Sequence, residues 1–281
     1  MSSSTTAPTD VSAHHVETIL NYACDAGQKP RLDPHASPED SKKQAVTIVR
    51  HPVRVIDARS LDRPPSLDIE GFDRVAVDDH GIDFYDAARV RDVYYPEVER
   101  LVAAATGAVR VEAFDHNLRS ATLAERGEHG AQWPVKFAHN DYTEKSGPQR
   151  VRDLFPDEAD ALIDCRFAVI NVWKPTRETV HDTPLAVCDA SSIGENELIA
   201  SDLQYQDRTG EIHSLAYSPG QRWYYYSSME PGEAMLLKCY DSMTDGRARF
   251  TAHSAFRDPA APPDAPVRES IEVRTLAFFA S

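Results

Sequence analysis

The sequence predicts a mainly β fold: an antiparallel barrel or sandwich of the jelly-roll kind, with helices packed outside it. Turn sequences such as SPGQ, EPGE and TDGR occur repeatedly in the second half of the chain. Between them lie short segments rich in β-branched and aromatic residues, with no helical pattern intervening. These segments are VRVEAFDHNLR, RFAVINVWKP, HSLAYS, RWYYYSSM, EAMLLKCYD, ARFTAHSAF and ESIEVRTLAFF.

The first hundred residues predict a different mixture of elements. Residues 1–10 predict a disordered tail, and VSAHHVETILNYAC predicts a short helix before the Pro-, Asp- and Ser-rich connector LDPHASPEDS. VTIVRHPVRVIDA and DRVAVD predict strands. We expect a single domain over 11–281, with a helical and strand N-terminal part at 11–109 and the β core at 110–281.

The strongest helical pattern is DFYDAARVRDVYYPEVERLVAAATG. Its apolar residues recur at spacings of three and four, and Gly107 stands where a C-terminal cap belongs. Pro96 interrupts the pattern, so we predict that a second helix starts there.

Composition excludes several classes of protein. The formal net charge of −15 disfavours binding to a nucleic-acid backbone. No apolar run is long enough to span a membrane, and MSSSTTAPTD lacks the basic and apolar blocks of a secretory signal. Four widely spaced cysteines argue against a disulfide scaffold or a structural zinc site. We therefore expect a cytoplasmic protein with reduced thiols, no membrane partner and no nucleic-acid partner.

The segment AHNDYT contains a candidate metal-binding pair, His139 and Asp141. Residues i and i+2 of a strand point to the same face, so these two side chains can reach one ion. His253, in the strand-like ARFTAHSAF, can supply a third ligand. Two histidines and one carboxylate leave three adjacent coordination positions open, as a non-haem Fe(II) oxygenase requires.

The last predicted strand has one wholly polar face. Such a face is either exposed or lines a polar cavity, and the pattern leaves both possibilities open. In a cavity, Arg268 and Ser270 can bind a carboxylate, since a guanidinium donates two hydrogen bonds and a hydroxyl a third. The polar residues of this face are Arg268, Ser270, Glu272 and Arg274, alternating with apolar neighbours.

The order His–x–Asp, distal His, then Arg–x–Ser resembles the Fe(II)/2-oxoglutarate-dependent oxygenases. The resemblance is closer to their hydroxylase/desaturase branch, the CmcJ-like and AsaB-like proteins. It covers residues 110–279 well and the first hundred residues loosely. The blocks that carry it are AHNDYT at 138–143, FAVINVWKP at 167–175, PLAVCDASSI at 184–193, RWYYYSSMEPGEAMLLKCYDSMTDGRARFTAHSAFRDP at 222–259 and RESIEVRTLAFF at 268–279.

This resemblance implies a double-stranded β-helix (cupin-like) core and the use of Fe(II), 2-oxoglutarate and O₂. It implies that His139, Asp141 and His253 are iron ligands, and that Arg268 and Ser270 hold the distal carboxylate of 2-oxoglutarate. Hydroxylation, desaturation or oxidative cyclisation of a small molecule, in secondary metabolism, is the implied activity. Gln221 departs from the pattern, because a histidine is expected at that position. This departure puts none of the implied metal ligands in doubt.

Several other residues are candidates for the cofactor or substrate site. Asn171 can hydrogen-bond a carboxylate, and Trp173 shares its strand face, with core packing as an equal alternative. Arg177 and Lys174 can meet an anionic substrate, although solvent exposure is the simpler expectation for both. In RWYYYSSM, either Trp223 and Tyr225 or Tyr224 and Tyr226 face the cavity, and we take the first pair as substrate contacts.

The remaining alternatives concern other sites and other activities. His15 and Glu17 form a rival metal pair, but in a predicted helix without a downstream partner. Neither a GxSxG elbow nor a phosphate-binding loop is present. Two other functions stay open: a 2-oxoglutarate-independent Fe(II) oxidase resembling isopenicillin N synthase, and a non-catalytic β-barrel binding protein. The expected partner is a small molecule, of the amino-acid-derived or secondary-metabolite type.

Overall fold

Two β-sheets dominate the structure, a computed structural model that describes residues 14–24, 27, 29–33, 47–78, 81–205 and 208–280. The predicted tail at 1–10 and most of the connector LDPHASPEDS lie outside the described residues. Nine strands form the larger sheet and five the smaller. The prediction of a mainly β fold with flanking helices is confirmed.

The larger sheet contains the strands that carry the candidate metal ligands. Most neighbouring strands pair antiparallel. The exceptions are Trp223–Tyr225 with Thr47–Asp57 and Arg31–Leu32 with Leu198–Gln204, which pair parallel. In sheet order the strands are β1 (His15–Cys24), β3 (Thr47–Asp57), β11 (Trp223–Tyr225), β8 (Leu185–Cys188), β13 (His253–Ala255), β6 (His139–Asn140), β10 (Thr209–Leu215), β9 (Leu198–Gln204) and β2 (Arg31–Leu32).

The smaller sheet is antiparallel throughout. Three of its strands, the second, third and fourth in order, are almost completely buried. In sheet order it comprises β4 (Phe72–Ala76), β12 (Glu233–Asp241), β7 (Phe167–Pro175), β14 (Glu269–Phe278) and β5 (Arg110–Ser120).

The helix predicted for VSAHHVETILNYAC is wrong for the residues that the structure describes. Strand β1 occupies His15–Cys24 and pairs along its whole length with β3. Val16, Leu20 and Tyr22 are buried, a spacing of two or four that suits a strand better than a helix. Because β1 and β3 join the larger sheet and β4 joins the smaller, residues before 110 contribute to both sheets.

The helical prediction near residue 95 is confirmed. A short helix α1 (Ala87–Arg89) continues through a π-helical turn (Val90–Tyr94) into α2 (Tyr95–Thr106). Pro96 lies in the first turn of α2, where its missing N–H is not needed. Gly107 has a φ of 73° and donates its N–H to the carbonyl of Ala103, as in a left-handed C-cap.

Three short helices, which the sequence pattern does not predict, lie between β5 and β7 along the chain. They are α3 (Ala121–Arg126), α4 (Ser146–Leu154) and α5 (Ala159–Asp164). Single 3₁₀ turns cover Ala58–Ser60, Ala190–Ser192 and Glu195–Glu197. No helix in the described ranges is long and apolar enough to cross a bilayer.

Strand alternation divides the core between the faces of the sheets. One cluster lies between the sheets and includes Val169, Trp173 and Leu237 from the smaller sheet with Val187 from the larger. Their sequence neighbours, such as Ile170 and Leu236, pack instead against the helical segment on the outer face. Full burial of each large apolar side chain stabilises the fold by about 1.5–3 kcal/mol. The polar residues of β14 point to the face between the sheets, towards the larger sheet.

The centre of the larger sheet has an unusually short connection. Strand β6 is two residues long and β13 is three, and only one residue pair, His139 opposite His253, joins them. The two candidate histidine ligands therefore lie side by side on neighbouring strands.

Candidate active site

Three predicted metal ligands converge in the structure. The Nε2 atom of His139 lies 3.5 Å from Oδ1 of Asp141, and Nε2 of His253 lies 4.0 Å from the same oxygen. One ligand atom from each residue lies within 4.8 Å of the other two. The separation of residues 139 and 253 in sequence is removed by the pairing of β6 with β13.

Both histidines are held with Nε2 directed at the centre of this cluster. Nδ1 of His139 lies 2.7 Å from the carbonyl oxygen of Phe137, and Nδ1 of His253 lies 3.1 Å from that of Thr251. A carbonyl can only accept, so each Nδ1 carries the proton and each Nε2 presents a lone pair. Metal-binding histidines are oriented in this way by their second nitrogen.

The carboxylate of Asp141 is held by one oxygen and presents the other. Its Oδ2 accepts hydrogen bonds from Nδ2 of Asn171 at 2.8 Å and from Nε of Arg274 at 3.1 Å. Its Oδ1 faces the imidazoles. The geometry therefore presents a single carboxylate oxygen to an ion.

Electrostatics keep these groups in the protonation states that bind a cation. Burial acts to raise the pKa of Asp141, but Arg274 and the two histidines outweigh it and hold that pKa well below its usual range. Burial and the neighbouring His139 lower the pKa of His253. At neutral pH the cluster thus offers a carboxylate and a neutral imidazole, the forms that a metal needs.

This donor set fits ferrous iron. Two imidazole nitrogens and one carboxylate oxygen on one side of an ion match the facial triad of non-haem Fe(II) enzymes. All three residues line one small cavity, of about 20 Å³, that is partly open to solvent.

Arg268 lines the same cavity, and both Arg268 and Ser270 are almost completely buried, so the polar strand face is not exposed to solvent. Nη1 of Arg268 donates to the carbonyl of Thr183 at 2.8 Å, and its guanidinium lies over the ring of Trp173. Nε of Arg268 and Oγ of Ser270 are buried and have no hydrogen-bond partner among the described residues. Such unpaired donors are costly unless a ligand satisfies them, so they fit an incoming carboxylate.

Asn171 has a different position from the one that we expected for a cofactor-binding residue. Its Nδ2 donates to Asp141 at 2.8 Å and to Oε1 of Glu272 at 3.0 Å. Both amide hydrogens are therefore used to join two carboxylates of the protein. Asn171 binds a carboxylate, as predicted, and that carboxylate belongs to the candidate metal ligand.

Two charged residues that line the cavity were not recognised from the sequence as members of the site. Glu272 was noticed only as part of a polar strand face, and Arg119 on β5 was not singled out. The available signal for Arg119 was the alternation of polar side chains at Asp115, Asn117 and Arg119. This alternation predicts one polar face on β5, but the strand that it faces is not evident from it.

The proposed substrate contacts Trp223 and Tyr225 are not at the cavity. Both are buried on the opposite face of the larger sheet, in a cluster with Tyr22, Val55 and other residues. Trp223 pairs with Cys188 of β8, whereas the neighbouring Val187 faces the space between the sheets. The alternation of the strand explains the correction, since Tyr224 and Tyr226 are the members that pack in the cluster between the sheets.

The other candidates for substrate contact divide between cavity and surface. Trp173 is buried and lines the cavity. The side chain of Arg177 is 61% exposed and pairs with Glu269 at 3.4 Å, outside the cavity lining. The expectation that Lys174 is exposed is wrong: it is fully buried, and its Nζ lies over the rings of Phe84 and Tyr94.

The rival metal pair does not form a site. His15 Nε2 lies 3.8 Å from Glu17 Oε1, but both side chains are exposed on strand β1. Among the described residues, the only group of three or more potential ligands within reach of one ion is the cluster at His139. His213 and His116 lie apart from this cluster, in ring contact with Phe250 and Tyr95 respectively.

Comparison with known proteins points to one family. A family model described as "Oxidoreductase/YMDC permease-like domain" matches residues 20–278. The Fe(II)/2-oxoglutarate-dependent dioxygenase nvfI of Aspergillus novofumigatus is 35% identical over 262 residues, covering 90% of this chain and 93% of the relative. The hydroxylase/desaturase efuI of Hormonema carpetanum is 32% identical, covering 81% of this chain and 83% of the relative.

A solved structure shows the same fold. A single-residue variant of the iron and alpha-ketoglutarate-dependent endoperoxidase NvfI superimposes with a TM-score of 0.84 at 30% sequence identity. The match covers 95% of this chain and 98% of the solved one. It confirms the predicted jelly-roll core, and it extends over the first hundred residues, where the resemblance in sequence is loose.

Proposed function

The chain belongs to the family of Fe(II)/2-oxoglutarate-dependent dioxygenases and hydroxylase/desaturases, and on that premise we propose that His139, Asp141 and His253 bind its iron. We propose further that Arg268 and Ser270 bind the distal carboxylate of 2-oxoglutarate. The enzyme would then oxidise a small molecule, in secondary metabolism, at the cavity that the three metal-ligating residues and Arg268 line.

One observation carries this proposal: Arg268, whose buried Nε has no partner among the described residues, lines the same cavity as the three metal-ligating residues. The buried Ser270 hydroxyl, two residues further along the chain, has no such partner either. A metal site alone is compatible with a binding protein, and a buried Arg–Ser pair alone is compatible with a structural role. Their occurrence together supplies both ends of the binding site that a keto acid with a second carboxylate needs. The family's use of Fe(II) and 2-oxoglutarate supports the same assignment.

Each residue of the site has a separate task in the proposed reaction. Bound ferrous iron couples the oxidative decarboxylation of 2-oxoglutarate by O₂ to oxidation of a C–H bond. His139 and His253 provide fixed lone pairs, and Asp141 provides one negative oxygen. Asn171 and Arg274 hold the Asp141 carboxylate in place. Arg268 and Ser270 position the cosubstrate and satisfy their own buried donors.

The walls of the cavity indicate how the substrate is held. Val135, Leu185, Ala255 and Trp173 are apolar, and Glu272 is the carboxylate left beside them. An apolar part of a small molecule would contact these walls and help to exclude water from the reacting centre. The resemblance implies a secondary metabolite or an amino-acid-derived molecule. Hydroxylation, desaturation and ring closure all begin with removal of one hydrogen atom, so the same site serves each outcome.

We also infer that residues 11–281 act as one oxygenase domain in the cytoplasm. Strands from before residue 110 complete both sheets, which supports one domain. The four cysteines are not joined by disulfides, which is typical of a reducing compartment.

The test is to measure O₂ uptake and succinate formation by the iron-loaded enzyme with a panel of secondary metabolites and amino acids. We expect succinate and O₂ consumption in equal amounts, and loss of both in Asp141→Asn, which keeps the size of the side chain. Uptake of O₂ without succinate would instead indicate the 2-oxoglutarate-independent oxidase. No uptake, with normal metal binding, would indicate a binding protein.

A further inference from the structure

A second arginine shares the cavity with Arg268. Arg119 lies on β5 directly opposite Ser270 of β14, and it lines the same cavity as Arg268 and the three metal-ligating residues. Directly opposed residues of an antiparallel pair have their Cβ atoms about 4.5–5.5 Å apart on one face of the sheet. The guanidinium of Arg119 therefore extends from a position next to the Ser270 hydroxyl.

The side chain of Arg119 is anchored but not saturated. Its Nη1 donates to the carbonyl of Trp133 at 2.8 Å, which holds the guanidinium in place. A guanidinium carries five N–H donors in a planar fork. This contact uses Nη1 alone, and Arg119 lines the cavity together with Arg268. Arg268 Nε and Ser270 Oγ are buried without a partner among the described residues.

The charges around Arg119 favour an anion between the two guanidinium groups. Burial and the proximity of Arg119 lower the pKa of Arg268 to about 9, and burial also lowers the pKa of Arg119. Two cations in one small cavity destabilise each other until a negative group lies between them. Glu272 is a carboxylate of the cavity wall, and its Oε1 already accepts from Asn171. Asp182 and Glu272 offset only part of the effect of burial and of Arg119 on the pKa of Arg268.

We propose that Arg119 binds the distal carboxylate of 2-oxoglutarate together with Arg268 and Ser270, so that two arginines from different strands hold one carboxylate. This inference rests on the proposed function, since it assigns a further residue to the same cosubstrate. The cross-strand position opposite Ser270 favours this role over contact with the primary substrate.

The test compares two keto acids that differ only at the distal end. We would titrate the Mn(II)-loaded full chain, without O₂, with 2-oxoglutarate and with 2-oxovalerate, which has a methyl group in place of the distal carboxylate. The variants are Arg119→Met, which removes the charge, and Arg119→Lys, which keeps it but removes the fork. Arg110→Met is the matched control, because Arg110 lies on the same strand and pairs with Glu112 and Glu158 outside the cavity.

We expect Arg119→Met to weaken 2-oxoglutarate binding about 10- to 100-fold, as for loss of a charge-assisted hydrogen bond. Binding of 2-oxovalerate should stay within about 3-fold, since it lacks the group that Arg119 contacts. The affinity of Arg119→Lys for 2-oxoglutarate should lie between those of wild type and Arg119→Met. The affinity of Arg110→Met should equal that of wild type. If Arg119→Met does not fold, the ratio of the two affinities in Arg119→Lys decides.

Two results would overturn the inference while leaving the proposed function intact. One is unchanged 2-oxoglutarate affinity in a folded Arg119→Met. The other is an equal loss of affinity for both keto acids, which would mean a general disturbance of the cavity. Failure of the wild-type chain itself to bind 2-oxoglutarate would instead overturn the proposed function, and the assignment of Arg119 with it.

Discussion

The Nε atom of Arg274 lies 3.1 Å from Oδ2 of Asp141, the carboxylate oxygen that does not face the imidazoles. The same guanidinium contacts both oxygens of Asp115 at 3.2 Å through Nη1. Arg274 thus joins a carboxylate of the candidate metal site to one on β5. Because Asp115 holds the guanidinium of Arg274, Arg274 restrains rotation of the Asp141 carboxylate. Oδ1 of Asp141 therefore remains directed at the site.

Replacement of Arg274 should therefore weaken metal binding. Loss of a partner that orients a metal ligand typically costs 10- to 100-fold in affinity, and we expect a loss of about that size in Arg274→Met. Arg274→Lys should lose less, because it keeps the charge although it cannot reach both carboxylates. Calorimetric titration with Co(II) measures the effect, with Arg110→Met as the control. Unchanged affinity in a folded Arg274→Met would show that Asp141 needs no such restraint.

Gly71 is a backbone position on which the geometry of His253 depends. Its φ is 86°, and a Cβ there would collide with the side-chain oxygen of Thr251. Thr251 in turn donates to the carbonyl of Gly71 at 2.9 Å, and its own carbonyl accepts from His253. We expect Gly71→Ala to destabilise the fold by about 3 kcal/mol and to weaken Co(II) binding.

The control for this change is Gly107→Ala. Gly107 also has a positive φ, of 73°, but a Cβ there would meet nothing within 4 Å. This variant should cost about 1–2 kcal/mol, the penalty of a left-handed conformation alone, and should bind Co(II) normally. Thermal unfolding and titration of both variants separate strain from the collision. Equal metal affinity in the two variants would disprove the link to His253.

Trp223 and Trp173 provide a test of which tryptophan contacts the cosubstrate site. Trp223 packs on the far side of the larger sheet, whereas Trp173 lines the cavity under Arg268. Trp223→Phe should lower stability by about 1–3 kcal/mol and leave the KM for 2-oxoglutarate unchanged. Trp173→Phe should change that KM. The placement of Trp223 would be refuted by a raised KM in its variant at full stability.

His213 should make stability depend on pH. Burial lowers the pKa of His213 to about 4, below the usual value of 6.5 in an unfolded chain. Between these values the unfolded chain binds more protons, so this contribution is complete above pH 6.5 and is lost as the pH falls towards 4. Its size is about 3 kcal/mol. Urea unfolding at several pH values gives the free energy of unfolding of wild type and of His213→Gln. Between pH 6.5 and pH 4, this free energy should fall by about 3 kcal/mol less in the variant than in wild type. Parallel curves would contradict the assignment.

The candidate site was largely predictable because its chemistry lies in short motifs. The spacing of His139 and Asp141 predicts a shared strand face, and the alternation of β14 predicts that Arg268 and Ser270 act together. His139, Asp141 and Arg268 line one cavity, and Ser270 is buried. Their use as ligands remains a proposal, but their convergence is a structural finding. The jelly-roll core followed from strand-like segments separated by turns, and the structure confirms it.

What could not be predicted depends on which strands become neighbours. The role of Arg119 requires the register between β5 and β14, which pairs residues 119 and 270 and is not visible in either segment alone. The choice between Trp223 and Tyr224 required knowing which face of β11 points between the sheets. The segment of β1 predicts a helix because its apolar residues Val16, Ile19, Leu20 and Ala23 are spaced by three and four, but pairing with β3 determines its conformation.

The single residue pair between β6 and β13 has a consequence for how the protein is held together. On either side of that pair, the larger sheet consists of two separate ladders, each with its own extensive pairing. An ion bound by both His139 and His253 would link the two parts of the larger sheet. Removal of the ion by a chelator should weaken this junction first, so that proteases cleave the iron-free enzyme there before the rest of the protein unfolds.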